Sequence, residues 1–280
     1  MALSILTNVA SLNAQRNLSS TQTALSASIG RLSSGMRINS AADDAAGLGI
    51  SENLKSDLRS LAQAQRNAND GVSMTQVAEG SMNEMSGIVI RMRELSVQSA
   101  NQTLGTTERG YIQTEFTQLR NEINRISAVT EFNGQKLIDG SASAGLSFQV
   151  GKDNSTNDRI AMSVTRLTTS TLGSTSLRLA SATLSTVTGA RAAMGAFDKA
   201  IEQLSTARSK VGAVQNRMVV TISNLGVAQE NLAAANSRIR DVDVAAESSQ
   251  LTKAQILSQA GLAVLSQANQ LPQSALSLLR

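Results

Sequence analysis

The 280-residue chain contains no cysteine, no histidine and no tryptophan, and it has one proline, one tyrosine and four phenylalanines. Each gap removes a class of explanation. Without cysteine there is no disulfide and no thiolate ligand. Without histidine there is no imidazole base and no zinc site built on imidazole. Nothing supplies a general base near neutral pH, and no glycine-rich phosphate loop is present. An enzyme is therefore the weakest reading, and neither a cofactor nor a metal is expected. Aromatic residues make up 2% of the chain, too few for base-stacking platforms or for a thick globular core. The formal net charge is +4, but both signs are interspersed and no cationic run exceeds Arg91-Met92-Arg93. Phosphate contacts need clustered cations, so nucleic acid is not an expected partner.

Long hydrophobic runs are missing too. The opening "MALSILTNVASLNAQRNLSS" is interrupted by polar residues every few positions. It fits neither a cleavable secretory signal nor the roughly 18 apolar residues of a membrane span. The expectation is a chain that does not insert into membranes and that, if exported, leaves without a cleaved signal peptide.

What the sequence does have is periodicity. Leu3, Leu6, Val9, Leu12, Leu18, Leu25, Ile29 and Leu32 share one helical face, and Ser33-Ser34-Gly35 reads as its stop. A second helix opens between Ala41 and Ile50 and runs to about residue 100 through Leu54, Leu58, Leu61, Ala68, Val72, Met85, Ile88, Met92 and Leu95. A third carries Ile112, Phe116, Leu119, Ile123 and Ile126. The methionines read as gap-fillers in helix seams. Asp43 and Asp44 read as a solvated loop or first helical turn, where negative charge suits the helix dipole. The period then changes. "EFNGQKLIDGS" carries the Asn-Gly and Asp-Gly turn signals, and alternation predicts a β-hairpin from about Leu146 to Val164. The Ser/Thr-rich tract 165–188 reads as an exposed connector, with a glycan-bearing surface as the other reading. Helix returns with Leu184, Val187, Met194, Phe197, Ile201, Leu204, Val211, Val214, Met218, Leu225, Leu232 and Ile239, which fall into heptads. "RIRDVDVAAESS" reads as a joint. A last helix starts near Ala245, with Pro272 marking a kink or an end.

The predicted fold is mainly α: an elongated antiparallel helical bundle or coiled coil with one small β-hairpin and paired terminal helices. Residues 1–40 and 245–280 form one domain of terminal helices. Residues 41–244 form a rod domain containing the hairpin near 146–164. The closing "QILSQAGLAVLSQANQLPQSALSLLR" exposes Leu257, Ala260, Val264, Leu271, Leu276 and Leu279. Two thin helices cannot hide each other's whole apolar surface, so the remainder needs other copies of the chain. The two ends are expected to be disordered in the monomer and to fold on assembly, because short isolated helices are marginal in water.

At "SLNAQRNL", "LSSGMRINSAADDAAGL", "MRELSVQSAN", "EFNGQKLIDG", "SRIRDVDVAAE" and the closing "LSLLR", the sequence resembles bacterial flagellin. The resemblance covers about residues 1–165 and 190–280, with the motifs in the right order. It implies a structural subunit of the extracellular flagellar filament, assembling with many copies of itself and serving motility. Leu3, Leu6, Val9, Leu18, Leu25, Leu257, Val264, Leu276 and Leu279 would lie on the polymerising terminal helices. A flagellar export chaperone and the filament cap and junction proteins are implied partners. No room remains at 165–190 for the large outer variable domain that many members carry. The resemblance also implies that Arg91, Arg93, Glu94 and Leu95, with Glu115 on the adjoining helix, pack against neighbouring subunits and are read by the vertebrate Toll-like receptor for flagellin. Ile90 departs from the Gln that receptor-activating members often carry, which predicts weakened recognition.

Two other classes compete on the residues alone. A long signalling coiled coil of chemoreceptor type shares the Ala/Ser/Gln-rich helical character, but it has no use for an apolar tail. A membrane-acting amphipathic pore former calls for Lys/Arg on the polar face and Trp/Phe at the interface. Here Ser, Asn and Gln dominate that face.

Overall fold

The computed structural model describes the backbone of residues 7–278 and the side chains of residues 7–270. The chain is mainly α, with α1 (Val9–Ser34), α2 (Ala45–Ser99), α3 (Thr106–Val129), β1 (Glu131–Phe132), β2 (Gln135–Lys136), β3 (Leu146–Gln149), β4 (Arg159–Met162), α4 (Val187–Arg240) and α5 (Val244–Leu278) in order. It divides into two compact units: residues 1–56 with 230–280, and residues 57–229.

In the first unit the helix ends follow from local chemistry. The Asn8 side chain accepts a hydrogen bond from the Ser11 amide and starts α1. Gly35 ends it at φ 71°, a left-handed conformation that costs glycine little, and its amide donates to the Arg31 carbonyl. Asp44 accepts from the Gly47 amide at 2.8 Å and opens α2. Asp243 accepts from the amides of Ala245 and Ala246 and opens α5. The joint between α4 and α5 is tied to the loop after α1. Arg37 donates its amide to the Arg240 carbonyl at 2.6 Å, Val242 donates to Gly35, and Arg240 reaches Glu52 at 2.7 Å. Pro272 lies inside α5 and does not end it. Its missing N–H removes one helical bond, and the helix continues regardless.

The second unit holds the core. On α2, Leu61, Ala64, Ala68, Ala78, Met82, Met85, Val89, Met92 and Leu95 are buried at alternating steps of mostly three and four. On α4 the buried stripe is Ala190, Ala193, Phe197, Ala200, Leu204, Ala207, Val211 and Met218. Half of those positions are alanine, which the larger apolar residues obscured in the sequence; Val187 and Met194, assigned to the seam there, are only half-buried. From α3, Ile112, Phe116 and Ile123 complete the core, and Phe116 meets Phe197 edge-on with centroids 5.9 Å apart.

The β elements close this unit. Asn133 and Gly134 both have positive φ (49° and 77°), the two-residue turn that joins β1 to β2. β3 pairs with β4 in antiparallel register, Leu146 opposite Met162 and Phe148 opposite Ile160. Ile160 packs with Val150, Ala68 and Met218 in a satellite cluster.

The tract 165–188 is not the exposed connector its composition suggested. Leu167, Thr169, Leu172, Leu179, Ala182 and Leu184 are buried. The tract has almost no strand pairing of its own; its turns satisfy much of its backbone, as where Thr171 and Leu172 donate to the Thr168 carbonyl and Leu179 donates to Leu172, and helix side chains take up further groups. Gln203 accepts from the Gly173 amide and donates to the Gly173 carbonyl, both at 3.0 Å. Asn124 accepts from the Thr169 amide, and Gln113 accepts from the Leu184 amide at 2.6 Å. The leucines anchor the segment, and the buried Thr169 hydroxyl also donates to Asn124 at 2.9 Å.

Candidate assembly interface

The terminal pair is built from α1 and α5 running antiparallel. Asn8 Nδ2 donates to the Ala268 carbonyl, and the Ser11 hydroxyl donates to Asn269 Oδ1, both at 2.8 Å. The covered positions form one thin stripe on each helix. On α1 these are Ser11, Ala14, Leu18, Thr21, Leu25, Ser28 and Leu32; on α5 they are Glu247, Leu251, Ala254, Ser258, Gly261, Leu265 and Ala268. Leu18 sits over Gly261, where an added Cβ would lie 3.3 Å from its Cδ1. Nine of these fourteen positions are small or polar, so the seam buries little apolar area. Glu247 weakens it further. The residue is buried, its Oε2 lies 3.8 Å from Arg31, and among the described residues no donor reaches its Oε1.

The predicted terminal residues divide. Leu18 and Leu25 lie in the seam, half-buried. Val9, Leu257 and Val264 lie outside it, 61%, 49% and 58% exposed. Leu12, Ile29, Ile256 and Leu262 join them on the outer faces. Leu276 lies in the backbone of α5, but its side chain is outside the described residues, as are Leu3, Leu6 and Leu279 entirely. The single-face assignment in the sequence merged two faces, one turned to the partner helix and one turned out.

The second surface lies on the other unit. Arg91 of α2 bonds Glu115 of α3 at 2.9 Å and Glu94 one turn along at 3.0 Å. Glu115 first, then Glu94, raises the Arg91 guanidinium above its ordinary value. All three are about half exposed, so the cluster is a surface feature of small intrinsic stabilisation. Arg93 does not join it. It points to the opposite side of the core stripe, where its Nε donates to Asp198 of α4 at 2.6 Å. Leu95 is 1% exposed and belongs to the core, so it is not displayed on any face. Spacing on one helix brought these residues together on paper; the third dimension separates them. Ile90 and Val97 of α2 and Tyr111 of α3 are exposed apolar groups on the same two helices. Sequence reasoning missed Asp198. It also missed Arg109, which is buried and donates to the carbonyls of Ser99 and Asn101 at the end of α2. A cation is suited to that negative helix end.

Among the described residues no helix is long and apolar enough to cross a membrane. The exposed helix faces described above mix apolar and polar side chains.

Comparison with known proteins bears on what these faces do. The family model of the bacterial flagellin N-terminal helical region matches residues 5–143, and that of the C-terminal helical region matches residues 194–279. The chain is 44% identical over 273 residues to a flagellin of Halalkalibacterium halodurans, covering 98% of each chain. It is 41% identical over 285 residues to the flagellar filament 33 kDa core protein of Treponema phagedenis, again over 98% of each. Among solved structures, the crystal structure of Bacillus cereus flagellin matches with a TM-score of 0.49 and 27% identity, over 61% of this chain and 94% of that one. The chain belongs to the bacterial flagellin family, the structural subunits of the flagellar filament.

Proposed function

We propose that this flagellin polymerises by packing the outer faces of α1 and α5 against the same helices of other copies. The observation that carries the reading is the mismatch within the terminal pair. One thin stripe of each helix is covered within the chain, while Val9, Leu12, Leu257, Leu262 and Val264 stay exposed. Contact with further copies removes that apolar area from water, at about 25 cal/mol per Å². Residues 1–40 and 245–280 then act as the inner domain of the filament, and residues 41–244 as its outer wall. The chain has no large variable domain beyond that wall. The export chaperone, the cap and the junction proteins contact the same terminal helices before or at the ends of assembly.

The Arg91, Glu94 and Glu115 cluster, with Ile90 beside it, is a second contact along the filament and the face a host flagellin receptor reads on the monomer. Arg93 contributes from the side facing α4, and Leu95 contributes only by fixing α2 from beneath. Nothing in the structure or the comparisons favours a signalling coiled coil.

The test is removal of residues 245–280. The expected result is loss of all polymer by electron microscopy and sedimentation, with the helical circular dichroism of the remaining chain cooperative on heating. Normal filaments from the truncated chain would refute the reading.

A further inference from the structure

A groove about 700 Å³ in volume runs between α2 and α3, lined by Val77, Gly80 and Glu84 on one side and Glu122, Ile126 and Val129 on the other. Val77 and Val129 are exposed at its mouth. Glu122 is neutralised by Arg125, but among the described residues Glu84 has no ion-pair partner. The groove therefore presents an apolar mouth and one uncompensated negative charge.

The glycine is informative. Gly80 lies in the middle of a 55-residue helix, where glycine weakens the helix relative to alanine. No intrachain neighbour requires it, since an added Cβ would meet nothing within 4 Å. Gly87, two turns along on the same face, is also open. Small residues of this kind let another backbone come close.

A complementary face exists elsewhere on the same unit. On α4, Val219, Val220 and Val227 are exposed although the opposite side of the helix, at Val211, Met218 and Leu225, is buried. Gly212 and Gly226 lie one heptad either side of Val219, and neither has an atom within 4 Å of an added Cβ. Arg217, one turn before Val220, is exposed and has no ion-pair partner among the described residues. The cation lies about 10 Å along the helix from the midpoint of Val220 and Val227; Glu84 lies about 10 Å along α2 from Val77.

We propose that the outer face of α4 in one copy docks in the α2–α3 groove of a neighbouring copy, Val220 and Val227 meeting Val77 and Val129, and Arg217 meeting Glu84. The assignment rests on the filament reading above and names the lateral contact within it. The interface is heterologous, one surface type meeting another, so it repeats from copy to copy without closing on a pair.

The absence of native cysteine makes the test clean. A chain carrying Val129→Cys and Val220→Cys is polymerised and treated with a short bismaleimide. A ladder of covalent multimers in the filament, absent from dilute monomer and from filaments of either single variant, is the expected result. Glu84→Arg and Arg217→Glu should each raise the critical concentration at least threefold, and the double variant should return within twofold of the parent. Filaments that form without a ladder, or a double variant worse than either single one, overturn the groove assignment and leave the filament reading intact. A parent chain that never polymerises overturns both.

Discussion

The α1–α5 pair and the α2–α3–α4 core use the same helical period for opposite ends. In the core, the stripe on α4 alternates alanine with Phe197, Leu204, Val211 and Met218, and three helices converge on it. In the terminal pair the stripe alternates leucine with Ser11, Thr21, Ser28, Ser258 and Gly261, and only one partner helix is present. The first arrangement holds a fold together within one chain. The second leaves each helix partly covered, so its stability depends on concentration and on neighbours.

The contrast is broken most severely by a core truncation. Phe197→Ala removes one member of the ring pair and opens a cavity against Phe116. We expect a loss of about 3–5 kcal/mol in unfolding free energy, measured by denaturant titration of the monomer. A change under about 1 kcal/mol would mean that the core is not the stabilising centre of residues 57–229.

Next in size is a separation of monomer from polymer. Leu257→Ser and Val264→Ser lie on the outer face of α5, so monomer melting should stay within a degree or so of the parent. Full burial of such a side chain contributes about 1.5–3 kcal/mol, which corresponds to a critical concentration raised about tenfold or more for each variant. Amide exchange gives the same comparison without mutation: α1 and α5 in the monomer should exchange near the free-chain rate, while α2 and α4 between residues 60 and 225 stay protected. Equal protection in both parts would remove the distinction.

These expectations differ in how much of them the sequence revealed. Some helix limits were legible, because the stop at Ser33-Ser34-Gly35 and the joint before α5 are local signals; the start of α1 at Val9, capped by Asn8, was not, since the apolar period runs back to Leu3. The β3–β4 hairpin was legible because the alternation around Phe148 and Ile160 is a short-range signal, whereas Asn133-Gly134 was legible as a turn but not as the join of a second strand pair, β1–β2. The packing of 165–188 was not. Its leucines sit singly among hydroxyls, and the side chains that pin it to the core, Gln113, Asn124 and Gln203, lie on helices distant in sequence. The alanine half of the α4 seam was hidden for a related reason, since alanine is equally at home on either side of a helix. The surface cluster was half legible. Arg91 and Glu94 are neighbours on one helix, but nothing local distinguishes Arg93, aimed at Asp198, or Leu95, turned inward.

A smaller effect is expected at Arg91. Its bonds to Glu115 and Glu94 are exposed, so Arg91→Ala should cost the monomer less than about 1 kcal/mol. If the same face meets a neighbouring subunit, where water is excluded, the variant filament should disassemble at lower temperature and weaken receptor binding together. Weakened receptor binding with an unchanged filament would show that the two contacts use different surfaces.

The smallest effect concerns the loop that leads into α2. Asp43 accepts from the Ser40 amide at 2.9 Å, from the Ser40 hydroxyl at 3.0 Å and from the Asn39 amide at 3.2 Å. The Ser40 amide first, then its hydroxyl and the Asn39 amide, hold the Asp43 carboxyl below the ordinary carboxylate value. A group whose folded pKa is depressed stabilises the fold above its unfolded pKa, about 3.9 for Asp, and loses that contribution as pH falls through the folded value. Asp43→Asn should therefore melt slightly below the parent at pH 7. The gap should narrow as pH drops below about 4 and vanish once the parent carboxyl is protonated. The carboxyl lies at the surface, so the gap is small, and its pH dependence carries the information. A gap of constant size from pH 7 to pH 2 would mean that the loop is held by shape rather than by charge, and that Arg31, 3.9 Å from the same carboxylate, adds nothing to it.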